Sequence, residues 1–198
     1  MKNQNAGCLF NGEAVLSEIR AGKIPEDGER LLKVSRELKT AENSRELWEF
    51  LPFRMACETL YGKKEGYREI LEEIKRIKDR DYDRIIQGFC AGEPEESMET
   101  AYFLAACVDT AEFISMEIYE QYRELIDLIR GTVRFLAENC WRTDSMVGMD
   151  GKTAGLLADS VLKACRLKML SEEKYEMDGW ALLAQSRANT PEGKENFK

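Results

Sequence analysis

The sequence predicts an all-α protein of stacked helical hairpins, on three observations. Apolar positions recur at three- and four-residue steps through most of the chain. Helix start and stop signals punctuate it at short intervals. A pattern also repeats: Cys57, Cys107 and Cys165 each fall late in an apolar helix, and Tyr67, Tyr119 and Tyr175 each fall early in the amphipathic helix that follows. The cysteines are 50 and 58 residues apart and the tyrosines 52 and 56. Units of this kind bury their faces only against neighbours, so the repeat predicts either an α-solenoid or an α/α toroid.

The clearest unit runs from Ser97 to Leu136. Thr100 to Phe113 is apolar on nearly every side apart from Asp109, Thr110 and Glu112, which predicts an inner helix buried on several faces. From Ile118, the positions Tyr122, Leu125, Ile129, Val133 and Leu136 form one apolar stripe among charges, which predicts an outer helix. Ser115 is placed to cap the second of the pair.

Taken in order, residues 1–12 carry Asn, Gln and Gly and read as loose. Glu13 to Arg20 is a short helix ended near Gly22 and Pro25. Asp27 caps the next, whose polar face (Glu29, Arg30, Lys33, Arg36, Glu37) reads as solvated. Ser44 opens the segment SRELWEFLPFRMACETLY. Its Pro52 either kinks a helix or begins one, and in the second case Glu46, Trp48 and Glu49 stand at a helix mouth. Beyond Gly62, the residues Tyr67, Ile70, Leu71, Ile74 and Ile77 give an outer helix, with Asp79 to Phe89 adding a turn or two. Pro94, Glu95 and Glu96 suit the start of the next helix. A loop with turn signals spans Glu138 to Lys152. Thr153 to Leu167 is apolar, and Ser171 caps a last helix with Glu172 and Glu173 in its first turn. The expected organisation is one domain over residues 1–186 and a disordered tail over 187–198.

Composition removes whole classes of function. Hydrophobic residues make up 43% of the 198 and charged residues 33%, which suits a helix-rich soluble domain. The net charge is −8, and no Lys/Arg cluster is free of interleaved Glu, so a nucleic-acid partner is not expected. No apolar window suits a signal peptide or a membrane span, and the six scattered cysteines include no C-x-x-C pair, so the expected setting is the reducing cytoplasm with thiols unbridged. Histidine is absent. That excludes Ser-His and Cys-His nucleophile pairs and histidine-ligated metal, leaving acid–base work to Asp, Glu, Tyr, Lys or Cys. No metal or other cofactor is expected.

Three blocks, FLPFRMACETLYGKKEGY, YFLAACVDTAEFISMEIYEQYREL and VLKACRLKMLSEEKY, resemble in the same order the unsaturated glucuronyl and rhamnogalacturonyl hydrolases of glycoside hydrolase families 88 and 105. The resemblance spans roughly Ser44 to Tyr175. It implies a partial (α/α)6 toroid with its site at one mouth, and hydration of the C4=C5 double bond of unsaturated uronides left by polysaccharide lyases, with one carboxyl as general acid and base. The family pattern D-x-Y-M-x-x-P-F, aligned on Pro52 and Phe53, places Glu46 at the catalytic position and Trp48 at the aromatic one. The pattern R-G-x-G-W falls on Met98 to Tyr102, where Tyr102 replaces the Trp as a stacking residue and the Arg is missing. The pattern E-T-S-G falls on Asp150 to Thr153, where Asp150 keeps the charge and would orient a sugar hydroxyl.

The resemblance therefore implies a divergent unsaturated uronyl hydrolase with Glu46 as proton donor, Trp48, Tyr102 and Asp150 as substrate contacts, and an unsaturated uronic-acid oligosaccharide as ligand. The alternative is a helical-repeat interaction or sugar-binding protein that kept the packing and lost the chemistry. Three clear hairpins and a short helix pair are fewer than the toroid's six, so the remaining faces are either exposed, covered by a second copy of the chain, or supplied by the product of a neighbouring gene.

Overall fold

A computed structural model describes residues 12–62, 66–114, 119–141 and 149–189. Among these residues there is no strand. The elements are α1 (Gly12–Arg20), α2 (Gly28–Glu37), α3 (Ser44–Leu60), α4 (Gly66–Ala91), α5 (Pro94–Glu112), α6 (Tyr119–Leu136) running into a π-helical turn (Ala137–Trp141), α7 (Gly151–Arg166) and α8 (Glu172–Ala188). The all-α expectation and the order of hairpins α3/α4, α5/α6 and α7/α8 are what the structure shows. Cys8, Ser115, Ile118 and the tail beyond Asn189 lie outside the described residues.

The first helix of each hairpin packs on the first helix of the next, α3 on α5 and α5 on α7. This is why α5 is apolar on nearly every side. Phe103, Leu104, Ala106, Val108 and Ala111 are all buried, in a core shared with Leu47, Leu51 and Met55 of α3 and Leu157, Ala158 and Val161 of α7. The repeat cysteines Cys57, Cys107 and Cys165 are buried thiols on these three helices. Tyr67 and Tyr175, early in α4 and α8, are buried as well.

Several local details differ from the sequence reading. Helix α3 runs unbroken through Pro52, which is buried, so Glu46 and Trp48 belong to its first two turns and not to an approach segment. Proline has no N–H to offer the carbonyl four residues back, which here belongs to Trp48. Asn43 is the N-cap of α3, its side chain accepting the Glu46 N–H at 3.0 Å. Asp27 and Ser171 occupy N-cap positions without side-chain capping bonds, and the Asp27 carboxylate lies 3.4 Å from Arg30 instead. Helix α4 continues to Ala91 without a break at Gly88, which faces the Glu96 side chain of α5 at a distance that leaves no room for a Cβ. Arg36, read as solvated, makes a two-pronged pair with the buried Glu58 carboxylate at 2.6 and 3.0 Å.

A second buried pair ties α3 to α4. Arg54 donates to Glu73, whose other oxygen accepts the Ala41 N–H at 3.2 Å. The last hairpin closes on glycines. A Cβ on Gly151 would lie 2.8 Å from the Ser186 carbonyl oxygen, and one on Gly179 would lie 2.8 Å from the Leu162 side chain.

Candidate functional site

The three inner helices are joined by a hydrogen-bonded chain of side chains centred on Asp109. Asp109 and Glu112 are three residues apart on α5 and so share a face. Asp109 Oδ2 accepts the Trp48 indole N–H of α3 at 2.9 Å, and Oδ1 accepts Lys163 Nζ of α7 at 2.5 Å. Lys163 Nζ is also 2.6 Å from Glu112 Oε2, which accepts Arg20 Nε of α1 at 3.0 Å. Arg20 reaches Glu13 at 3.1 Å and stands over the Phe113 ring, 5.6 Å from its centroid.

The Asp109, Glu112 and Lys163 side chains are only 16–20% exposed, so these bonds form where water screens them little. Burial alone would pull the Arg20 guanidinium down, but Glu112, Asp109 and Glu13 outweigh it and raise it above its ordinary value. The sequence marks Asp109 as one of few polar residues in an apolar helix. The structure shows its role as the link between α3 and α7.

Beside this chain lies a groove of about 470 Å³ lined along one face of α7. Leu156, Asp159, Ser160, Lys163 and Arg166 form that face. Arg20, Trp48, Ala105 and Asp109 wall one side, and Glu172, Glu176, Trp180 and Leu183 of α8 the other. Trp180 is 50% exposed, and its indole N–H is 3.4 Å from Glu176. Arg166 makes no hydrogen bond or ion pair among the described residues. Cys165 also lines the groove, but burial pushes its thiol above the ordinary range, so it offers no ready thiolate. The groove thus presents two indoles, carboxylates and the Arg166 cation, which has no partner among the described residues. Among the described residues no group of three or more Asp, Glu or Cys side chains is placed to hold a metal ion.

The four residues singled out from sequence divide. Trp48 and Tyr102 are together, with ring centroids 5.4 Å apart and planes tilted by 37°. Tyr102 is buried beneath this contact, with Lys152 Nζ 5.8 Å from its ring centroid, whereas Trp48 is half-buried and reaches the groove.

Asp150 is the N-cap of α7. Its carboxylate accepts the Lys152 and Thr153 amide N–H groups and the Thr153 hydroxyl, each at 2.8 Å. Burial by itself would raise its pKa, but these hydrogen bonds, the Thr153 amide foremost, hold it below the ordinary value. Glu46 turns back toward the chain preceding α3. Its carboxylate accepts Lys39 Nζ at 2.5 Å and the Glu42 N–H at 2.9 Å, and these two bonds, Lys39 first, lower its pKa. Neither Glu46, Tyr102 nor Asp150 lines the groove.

Sequence reasoning passed over Lys163, Arg166 and Trp180. A signal was present: Asp159, Lys163 and Arg166 recur at four- and three-residue steps in the otherwise apolar AGLLADSVLKACRL, the mark of one helix face reserved for polar contacts. Comparison with protein-family models, with curated proteins and with solved structures finds no match. No helix among the described residues is long and apolar enough to cross a membrane.

Proposed function

We propose that this protein binds an unsaturated uronic-acid oligosaccharide in the groove over α7, on a scaffold that is a partial (α/α)6 toroid of the uronyl hydrolase type, and that it binds without hydrating the double bond. The observation that carries this is the pairing of Trp48 and Trp180 with Arg166, which has no ion-pair partner among the described residues, around one groove. Indole faces stack on the apolar face of a pyranose ring, and a guanidinium is the geometric match for a uronate carboxylate. The consecutive packing of α3, α5 and α7 supports the toroid reading.

Binding is favoured over turnover by the state of Glu46. A general acid near neutral pH needs a carboxyl that holds its proton, reached by burial or a like-charged neighbour. Lys39 and the Glu42 amide push Glu46 the other way. Tyr102 then acts as the support beneath Trp48, and Asp109 fixes the indole by its N–H.

The test is a titration with an unsaturated uronyl disaccharide, following tryptophan fluorescence and, in the same cuvette, the ultraviolet absorbance of the double bond. Saturable fluorescence change with constant absorbance is the expected result. Falling absorbance would establish the hydrolase reading instead, and no saturable change in either signal would refute both.

A further inference from the structure

The three outer helices meet water differently. The exposed side of α4 carries Arg68, Glu69, Glu72, Lys75 and Asp79, and that of α6 carries Arg123, Glu124, Asp127, Arg130 and Arg134, as a solvated face should. On α8 the outward stripe is apolar. Met177 is 75% exposed and Trp180 50%, and Ala181, Ala184 and Ala188 are exposed as well. These positions recur at three- and four-residue steps and so share one face. The opposite side of the helix holds the buried Tyr175, Gly179 and Leu182, with Gly179 against the Leu162 side chain of α7. Helix α8 is therefore apolar on two sides, as an inner helix is, while α7 is the helix on which it chiefly packs among the described residues.

We propose that this stripe is a homodimer contact, in which α8 pairs antiparallel with α8 of a second copy about a twofold axis beside Trp180 and Ala181. The charges along the stripe select this occupant. At 3.6 residues per turn, Glu173 and Glu176 lie on one edge of the stripe near its start, and Arg187 lies on the same edge near its end. A twofold axis between antiparallel helices sets each edge against the same edge with its order reversed. Glu173 and Glu176 of each copy then face Arg187 of the other. A parallel pairing would set acid against acid, and a partner of a single sign would leave one end of the edge unmatched.

The apolar residues fit the same arrangement. Met177 lies over Ala184 of the second copy, the two Trp180 indoles approach each other at the axis, and the alanines let the helices come close. One helix pair is a small interface, so the dimer is expected to dissociate in the micromolar range. The inference does not rest on sugar binding, because Met177, Ala181, Ala184 and Ala188 lie outside the groove over α7.

The experiment is sedimentation velocity of the full chain from about 1 to 200 μM, a range that brackets micromolar dissociation. The mass is expected to rise with concentration from the 22.7 kDa monomer to twice that value. Ala184→Glu, an exposed change checked for helicity by circular dichroism, is expected to stay monomeric throughout. Arg187→Glu is expected to weaken the dimer about tenfold, and adding Glu173→Arg to restore most of that loss. A wild type that stays monomeric, a dimer untouched by Ala184→Glu, or a double charge variant no tighter than Arg187→Glu would overturn the proposal. Flotation with phosphatidylglycerol vesicles covers the rival occupant: a monomeric wild type that floats, with Ala184→Glu left behind, would assign the stripe to a lipid surface instead.

Discussion

Replacing Asp109 by alanine tests how much of the fold hangs on one carboxylate. The substitution removes the acceptor of the Trp48 N–H and one of two acceptors of Lys163 Nζ. A hydrogen bond to a charged group is worth about 1.5–3 kcal/mol. Lys163 keeps Glu112 at 2.6 Å, and the Trp48 N–H gains partial access to water, so the net cost is about 2–4 kcal/mol. With a urea dependence of about 2 kcal/mol per molar, the unfolding midpoint by circular dichroism falls by about 1–2 M.

A double-mutant cycle with Trp48→Phe, which keeps the aromatic ring and deletes the N–H, isolates the indole bond. The pair is expected to couple by about 1 kcal/mol or more. A cost below about 0.5 kcal/mol, the range of exposed ion pairs, or a coupling of zero would refute the claim that Asp109 joins the inner helices.

Two further substitutions follow from the same physics. Arg54→Met strands the Glu73 carboxylate against the Ala41 N–H alone, and is expected to cost about 3–5 kcal/mol in urea unfolding. Adding Glu73→Gln, which keeps an acceptor for Ala41 and removes the charge, should recover most of it. A double variant no more stable than the single one would contradict this. Asp150→Ala removes the α7 cap and should cost about 1 kcal/mol at neutral pH. The carboxyl's pKa is lowered in the folded state, so its contribution is full above the unfolded-state pKa and is lost as pH falls through the folded one. Wild type and variant should therefore converge in stability at strongly acidic pH. A gap that persists there would show that the cap does not act through its charge.

The hairpin order was legible because inner and outer helices differ in kind. Thr100–Phe113 is apolar on most sides, and the stripe through Leu125, Ile129 and Val133 is one-sided, which a single sequence displays. What escaped was set by tertiary partners. Pro52 reads as a breaker, yet burial in a well-packed inner helix overrides the missing hydrogen bond. Gly88 reads as a stop, yet it lies inside α4 where the Glu96 side chain of α5 leaves no room for a Cβ. Arg36 looks like a surface charge until Glu58 is found beneath it.

The candidate site was less legible for the same reason. Trp48 was found through a motif, and its partner Tyr102 through another, but the groove that Trp48 borders is completed by Arg166 and Trp180. Those two stand on different helices, and only the α7/α8 hairpin brings them to one surface. Glu46 and Asp150 are carboxylates at helix starts, where capping competes with any other use, and capping is what the structure shows for Asp150.

The account stands most directly on calorimetric titration of an unsaturated uronyl disaccharide into the wild type, Trp180→Ala and Arg166→Ala, with a neutral disaccharide as the comparison ligand. Saturable binding by the wild type, lost in the Trp180 variant and losing its preference for the charged sugar in the Arg166 variant, is the predicted result. Equal binding by all three proteins, or equal affinity of the wild type for both sugars, would contradict it.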